Sequence, residues 1–373
     1  MRSRQSGLSL VEMMVAVLIG LIGILIISQV YITSDTFNRS TIGEGGAQTN
    51  GLIALYTIER DARVAGYGIS DSIALGCGEV YWYYNPNYSH NINAGTPLAQ
   101  IRLAPVYITT HGTAPDDLTV MYASDSDRMV PTTVKAFSKT TNLVTVDTYN
   151  ATGFSLNDLV LLVNNTSGCT IGKVTFIDVS IPTTPKLQMN PSGSDPYNPA
   201  AWGSFPTNYA LGDMVFNLGP APVIRTYSIS SSKLVVQDAL LQAAGAAAVS
   251  LMDGIVDLRA QYGKDNGIDN GTVSSAVFAP NDGQVDQYSN AAPANGAEWA
   301  QVLSVRIGVL ARIGDYEKPS PAGVCSSTVA SPTWAGGNFT AIDVATTTSA
   351  DRCYRYRVFE TTVPLRNMIW RGS

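Results

Sequence analysis

The sequence has 373 residues, of which 45% are apolar and 14% are charged, and its net charge at pH 7 is −6. A chain of this length and apolar content can bury a substantial core, which excludes an intrinsically disordered protein. The acidic balance argues against a nucleic-acid-binding protein, because binding to phosphates depends on clustered Lys and Arg.

The N-terminal region combines a short basic segment with a long apolar one. Arg2 and Arg4 precede residues 8–32, which contain few polar side chains and are long enough for a membrane-spanning helix of about 20 residues. Positive charges before such a segment tend to stay in the cytoplasm, so the rest of the chain is expected on the other side. A removable signal peptide is the alternative, but residues 28–32 lack its small-residue cleavage pattern. The sequence therefore predicts one transmembrane helix and an exported domain.

Glu12 is a carboxylate near the start of this predicted helix. A charge inside a membrane helix costs about 2.5 to 3.5 kcal/mol on insertion scales and is seldom kept without a partner. Cleavage between Gly7 and Leu8 would create an α-amine four residues away that is mostly protonated at neutral pH. We therefore expect this amine to neutralise Glu12 of the same chain or of a neighbouring copy.

The segment Arg4-Gln-Ser-Gly7, followed by Leu8-Ser-Leu-Val-Glu12 and an apolar helix, resembles the prepilin leader of type IV pilins and of type II secretion pseudopilins. In those families a membrane peptidase cuts after the glycine and methylates the new N-terminus. The resemblance implies cleavage after Gly7, N-methylation of Leu8, which replaces the commoner Phe, and an assembly role for Glu12. It implies as partners the prepilin peptidase, other minor and major pilins, an inner-membrane assembly platform and membrane lipid.

The helix is predicted to continue beyond the membrane through residues 33–66. Glycines cost about 1 kcal/mol each relative to Ala inside a helix, and they interrupt this stretch at Gly43, Gly45, Gly46 and Gly51. The sequence therefore allows a break near residues 43–51. Helical apolar spacing returns at Leu52, Leu55, Ile58 and Ala62. We expect this second stretch to pack on the exported domain and to end at Gly66.

The remainder, residues 67–373, is predicted to be one β-rich globular domain. Strands are expected from apolar and β-branched runs at residues 143–148, 159–163, 173–177 and 233–236, and residues 192–206 form an expected long loop. The Ala-rich residues 238–254 favour a helix or a pair of turns. Alternating patterns predict half-buried strands at residues 303–309 and 354–358. The predicted organisation is a leader (1–7), a transmembrane helix (8–32), its continuation (33–66) and the domain. The fold class is α+β, with a long N-terminal helix packed on a large antiparallel sheet structure.

Four further segments are similar to PilW-type minor pilins: residues 58–67, 253–265, 304–312 and 355–367. The resemblance implies a minor pilin that takes part in type IV pilus assembly, anchored in the bacterial inner membrane with its domain in the periplasm and then incorporated into the pilus. One alternative is a minor pseudopilin of a type II secretion system. Another is an adhesive module on a pilin anchor, in which residues 78–236, with the aromatic run at 81–84, contact a surface.

The sequence contains an even number of cysteines, and all four follow the predicted membrane helix: Cys77, Cys169, Cys325 and Cys353. In an exported protein this count indicates two disulfides, although four cysteines allow three connectivities. Cys325 with Cys353 is the favoured sequence-local pair, which leaves Cys77 with Cys169. Four free buried thiols in a cytosolic protein are the alternative, which the export signal disfavours.

Catalytic motifs are not found in the sequence. His90 and His111 lie outside any metal or triad motif, so we expect neither an enzyme nor a cofactor. Asp265 and Asp269 are a weak calcium candidate, but an EF-hand needs Gly at its sixth position, and Asn270 stands there. Asx and Gly turns between strands are the favoured interpretation.

Overall fold

The fold is taken from a computed structural model. It describes residues 10–69, 74–75, 77, 80–82, 103–124, 131–140, 142–164, 168–191, 197–198, 209–238, 248–269, 272–273, 282–314 and 316–369. Three α-helices lie within these residues: α1 (Leu10–Val64), α2 (Gly296–Ala300) and α3 (Arg366–Ile369). A short 3-10 helix covers Ala350–Cys353.

The strands fall into two consecutive groups along the chain. The first group is β1 (Val80–Trp82), β2 (Val106–His111), β3 (Ala114–Tyr122), β4 (Thr132–Thr140), β5 (Leu143–Thr148), β6 (Leu159–Asn164), β7 (Gly168–Lys173), β8 (Phe176–Asp178), β9 (Lys186–Met189), β10 (Met214–Gly219), β11 (Val223–Ser230) and β12 (Lys233–Asp238). The second group is β13 (Val249–Asp253), β14 (Ile255–Lys264), β15 (Ile268–Asp269), β16 (Thr272–Val273), β17 (Gln287–Ser289), β18 (Val302–Arg312), β19 (Thr333–Trp334), β20 (Gly337–Asn338) and β21 (Tyr356–Pro364).

These strands form three main sheets. The largest has the order β1-β7-β6-β10-β4-β5-β9-β8, the second β13-β12-β11-β3-β2, and the third β17-β14-β18-β21. Two small hairpins, β15 with β16 and β19 with β20, complete the described strands. Among the described pairs only β1 with β7 is parallel. The predicted α+β class, with one long helix and a large antiparallel β-rich domain, is confirmed.

Helix α1 is continuous over 55 residues, without the break that the sequence allowed near residues 43–51. For Gly51 the physical reason is visible, because this residue lies against the ring of Phe359, where a side chain would clash. Close contact with the domain outweighs the low helix propensity of glycine. Farther along, Leu55, Ile58 and Ala62 are buried as predicted, whereas Leu52 is 50% exposed.

Two local predictions differ from the structure. Residues 249–253, expected in a helix or turns, form the edge strand β13, and residues 239–247 lie outside the described part. Pairing with β12 satisfies the backbone of β13 and places Leu251 and Met252 against the main core, which outweighs the helical apolar spacing. The strand expected at residues 173–177 is divided, because β7 ends at Lys173 and β8 begins at Phe176. The expected strands at 143–148, 159–163 and 233–236 lie within β5, β6 and β12.

The main hydrophobic core lies between the second half of α1 and the second and third sheets. Ile58 and Ala62 of α1 meet Val305 and Val309 of β18 in this core, together with Leu118 of β3. The eight-stranded sheet contributes to two further cores, one of which it shares with Met121 of β3 and Ile224 of β11 in the second sheet. The second half of α1 therefore packs mainly on the third sheet.

Candidate functional site

The first part of α1 is an apolar surface that no other described part of the chain covers. Residues Leu10–Asp35 form a helical segment that is long and apolar enough to cross a membrane, and none of its described side chains is buried. Such a surface needs lipid or other helices around it. Glu12 lies in the first turn of the helix, while Gly7 and Leu8 lie outside the described residues, so the cleavage and methylation sites remain predictions.

The second part of α1 is fixed to the domain by contacts on one face. Gly51 allows the helix to approach Phe359 of β21. An ion pair joins Glu44 to Arg357 of the same strand at 2.7 Å. The Asn50 amide donates a hydrogen bond to the Asp253 carbonyl at 3.1 Å. One continuous helix thus has a free apolar half and a docked half.

A polar network anchors the last turns of α1. The buried carboxylate of Asp61 accepts hydrogen bonds from the Tyr227 hydroxyl at 2.7 Å and from Arg225 at 3.0 Å. Arg225 also contacts Asp238 at 3.3 Å. Burial, followed by the bond to Asp61, raises the pKa of the Tyr227 hydroxyl far above its ordinary range, so it stays a donor at neutral pH. The network connects α1 to β11 and β12.

The C-terminal end of α1 is capped by groups from the domain. Gly66 has a φ of 82°, the left-handed conformation in which helices commonly end, as the sequence predicted. The Asn367 amide of α3 donates to the carbonyls of Val64 and Ala65, each at 3.1 Å. The Gly66 amide donates to Met121 at 2.8 Å. These bonds fix the direction in which the chain leaves the helix.

A second buried polar cluster joins the second and third sheets. Arg259 of β14 lies with its Nε atom 2.9 Å from Asp257 Oδ1, outside hydrogen-bond geometry. Its Nη atoms contact Asp116 of β3 at 3.4 Å and donate to the Thr113 carbonyl at 2.6 Å and the Thr340 hydroxyl at 2.7 Å. Burial raises the pKa values of Asp257 and Asp116, against the opposing effect of Arg259. The cluster ties β14 to β3 and to the loop that carries Thr340, because Arg259 contacts groups of all three.

Two disulfides close loops on the domain. Cys77 is bonded to Cys169, and Cys325 is bonded to Cys353. These are the pairings that the sequence analysis favoured among the three possible ones. The first joins the segment before β1 to β7 of the largest sheet, and the second ties the 3-10 helix to a loop after β18.

Asp265, one of the two residues of the weak calcium candidate, takes part in a turn. The Asp265 carboxylate accepts hydrogen bonds from the backbone amides of Gly283 at 2.7 Å and of Asp282 at 3.3 Å. The side chain of Asp269 is not described. Among the described residues, no group of three or more His, Cys, Asp or Glu could hold a metal ion. The carboxylate of Asp265 therefore serves to close a loop.

The other sequence candidates are only partly described. His111 pairs with Asp117 at 3.0 Å on the surface, and His90 lies outside the described residues. Of the aromatic run at 81–84, the first two residues belong to β1 by their backbone, and the remainder lie outside the described part. The Asp61 network was missed. Its signal was an acidic residue on the buried apolar face of a helix, next to Ala62, where a charge needs a partner.

Two protein-family models match the chain. Residues 2–28 match the prokaryotic N-terminal methylation motif, and residues 223–367 match type IV pilus-assembly protein W. The second match runs from β11 into α3, so it contains the whole third sheet and the surface on which α1 docks. Neither a curated protein nor a solved structure matches the chain.

Proposed function

We propose that this chain, a PilW-type minor pilin as its two family matches support, acts in type IV pilus assembly through its N-terminal helix. The observation that carries the proposal is the division of α1. Its first half, Leu10–Asp35, is apolar and is not covered by the residues that the structure describes, while its second half is docked on the matched domain. A helix of this kind holds the subunit in the membrane and offers the same surface to the helices of other subunits.

Maturation is proposed to occur between Gly7 and Leu8, with methylation of the new N-terminus at Leu8. The match of residues 2–28 to the methylation motif supports this proposal. The new α-amine is proposed to neutralise Glu12, because an uncompensated carboxylate near the start of a membrane helix is costly. In an assembled helix bundle, a pair between the α-amine of one subunit and Glu12 of its neighbour would fix the axial position of one subunit relative to the next.

The placement of the chain follows from the same reasoning. We propose that residues 1–7 are removed, that residues 8–32 cross the inner membrane, and that residues 67–373 lie in the periplasm before incorporation into the pilus. Other minor and major pilins, the prepilin peptidase and the inner-membrane assembly platform are the proposed partners. The role is structural rather than catalytic, since the matched family is a pilus-assembly component.

The alternatives are not favoured. A minor pseudopilin of a type II secretion system has the same kind of leader, but the match of residues 223–367 is to a pilus-assembly protein. An adhesive module on a pilin anchor would place its contacts in residues 78–236, most of which precede that match. The assembly role therefore remains the proposed function.

The test is the N-terminus of the protein in membranes of cells with and without the prepilin peptidase. Intact mass and N-terminal sequencing should show a peptidase-dependent start at Leu8 with one added methyl group. Gly7→Phe should leave the precursor uncut, whereas Gly20→Ala, which meets nothing within 4 Å, should be cut normally. An intact Met1 in cells that contain the peptidase, or a start near Tyr31, would overturn the proposal.

A further inference from the structure

The membrane-distal end of α1 forms one wall of an open cleft of about 750 Å³. Three arginines, Arg60, Arg63 and Arg366, line this cleft, and no carboxylate is among the described residues that line it. We propose that this arginine cleft binds an acidic segment of a partner protein. This binding would add one partner contact of stated chemistry to the proposed function, and it rests on that function for the orientation of the chain.

The three arginines of the arginine cleft differ in how strongly they are paired with carboxylates of the chain itself. Arg63 is paired with Glu59 one turn earlier. Arg60 donates one long hydrogen bond, of 3.5 Å, to Asp61 Oδ1, while Tyr227 and Arg225 bind the other oxygen of that carboxylate. Arg366 is exposed and forms no ion pair with the residues that the structure describes. Arg366, and the donors of the exposed Arg60 that do not face Asp61, can therefore bind carboxylates of a ligand, on a chain whose net charge is −6.

The floor of the arginine cleft is apolar, which distinguishes a peptide from a free anion. Val64 is 44% exposed there, and the half-buried rings of Tyr67 and Tyr122 lie beside it. A cleft lined by both arginines and aromatic or aliphatic groups suits a segment in which carboxylates alternate with apolar side chains. An inorganic phosphate or a nucleic-acid backbone would leave this floor uncovered.

The walls of the arginine cleft are held by backbone bonds. The Ala123 amide donates to the Tyr67 carbonyl at 2.8 Å, and the Gly66 amide donates to Met121 at the same distance. Asn367, next to Arg366, is fixed by its bonds to the end of α1. A preformed cleft loses little conformational entropy when a ligand binds.

The position of the arginine cleft argues against lipid as the ligand. The apolar segment of α1 ends at Asp35, and the helix ends at Val64, about 45 Å farther along the axis at 1.5 Å per residue. This distance exceeds the reach of the headgroups of the membrane that holds the helix. A neighbouring protein is the partner that can reach the site.

The experiment measures peptide binding to the full-length chain in detergent micelles by fluorescence anisotropy. The probe is a fluorescein-labelled octapeptide that alternates Glu or Asp with Tyr or Leu, and its neutral counterpart replaces the acids with Gln or Asn. The acidic probe should bind, and Arg60→Gln with Arg366→Gln should weaken its affinity by about tenfold or more, as for charge-assisted hydrogen bonds. Lys318→Gln, an exposed cation outside the cleft, should leave the affinity unchanged.

Several results would overturn the proposal. They are absence of binding, equal binding of the two peptides, an unaffected double variant, or tighter binding of a DNA duplex of equal charge. Matching thermal melting curves of the variants show that the fold is retained, which is expected because both arginine side chains are exposed. Binding by the purified chain requires neither cleavage nor assembly, so this proposal and the maturation proposal can fail separately.

Discussion

Phe359 of β21 lies over Gly51 of α1 and occupies the volume that a side chain at position 51 would need. The two residues are distant in sequence, yet their contact sets how closely the helix approaches the matched domain. The glycine is therefore a packing residue inside a continuous helix. This relationship explains why an apparent helix breaker occurs at the point where the helix leaves the free segment and meets the third sheet.

Gly51→Leu should destabilise the docked half of α1. The new side chain forces the Phe359 ring to move, and overpacking of this kind costs about 1 to 3 kcal/mol. Gly45→Leu is the matched control, because position 45 has open space and leucine there gains up to about 1 kcal/mol of helix propensity. Urea unfolding of the full chain in detergent should show opposite signs for the two variants. Equal effects would mean that propensity, and not the contact with Phe359, governs the site.

Because the Tyr227 hydroxyl is buried, the free energy of unfolding should fall at high pH. Burial raises its pKa in the folded state, so above about pH 10 the unfolded chain ionises first and the free energy of unfolding falls. Tyr227→Phe should cost about 1.5 to 3 kcal/mol at neutral pH, because the lost hydrogen bond is to a buried carboxylate, and it should reduce this alkaline slope. The slope should not vanish, since burial also raises the pKa values of Tyr122 and Tyr356.

Denaturant titrations between pH 8 and pH 11 measure this slope. Tyr56→Phe is the control, because its side chain is 65% exposed. An alkaline slope that is the same for Tyr227→Phe and for the unmodified chain would contradict the buried bond to Asp61.

Arg259→Met should lower the free energy of unfolding much more than Arg357→Met does. It leaves Asp257 and Asp116 without their cation, and removing one partner of a buried ion pair costs about 3 to 5 kcal/mol. Arg357→Met removes an exposed pair with Glu44, for which about 1 kcal/mol or less is expected. The difference in the free energy of unfolding between the two variants checks the prediction, and similar values for both would contradict it.

The sequence predicted the elements whose signals are local. The apolar run before Asp35, the buried positions of Ile58 and Ala62, and the strand β5 all follow from spacing along a few residues, and the family resemblances at both ends of the chain are confirmed. The role of Gly51 could not be predicted, because the ring that makes it necessary belongs to a strand near the C-terminus. The bond of Asp61 to Arg225 joins residues 164 positions apart. Strand β13 was missed because its partner β12, and not its own pattern, determines its conformation.

The two disulfides should differ in their contribution to stability. They close loops of 92 and 28 residues, and the chain-entropy model gives about 4.6 and about 3.6 kcal/mol for these lengths. Replacing Cys77 and Cys169 together by Ala should therefore lower the free energy of unfolding more than replacing Cys325 and Cys353. Urea unfolding of both double variants in the absence of reductant measures the order, and a reversed order would contradict the entropic explanation.

Glu12→Gln should separate maturation from assembly. The amide removes the charge without changing the size of the side chain, so insertion of the helix becomes easier and the cut after Gly7 is expected to proceed. The mature amine then has no carboxylate to pair with, and incorporation into pili should fall strongly. Immunoblots of sheared pili and of membranes measure the two steps separately.

Glu44→Gln is the matched control for Glu12→Gln. It removes a carboxylate from the same helix, but one that pairs with Arg357 on the surface of the domain, where little stability is lost. This variant should be cut and incorporated normally. Normal incorporation of Glu12→Gln would show that the new amine does not need this carboxylate, and an uncut precursor would place Glu12 in recognition by the peptidase instead of in assembly.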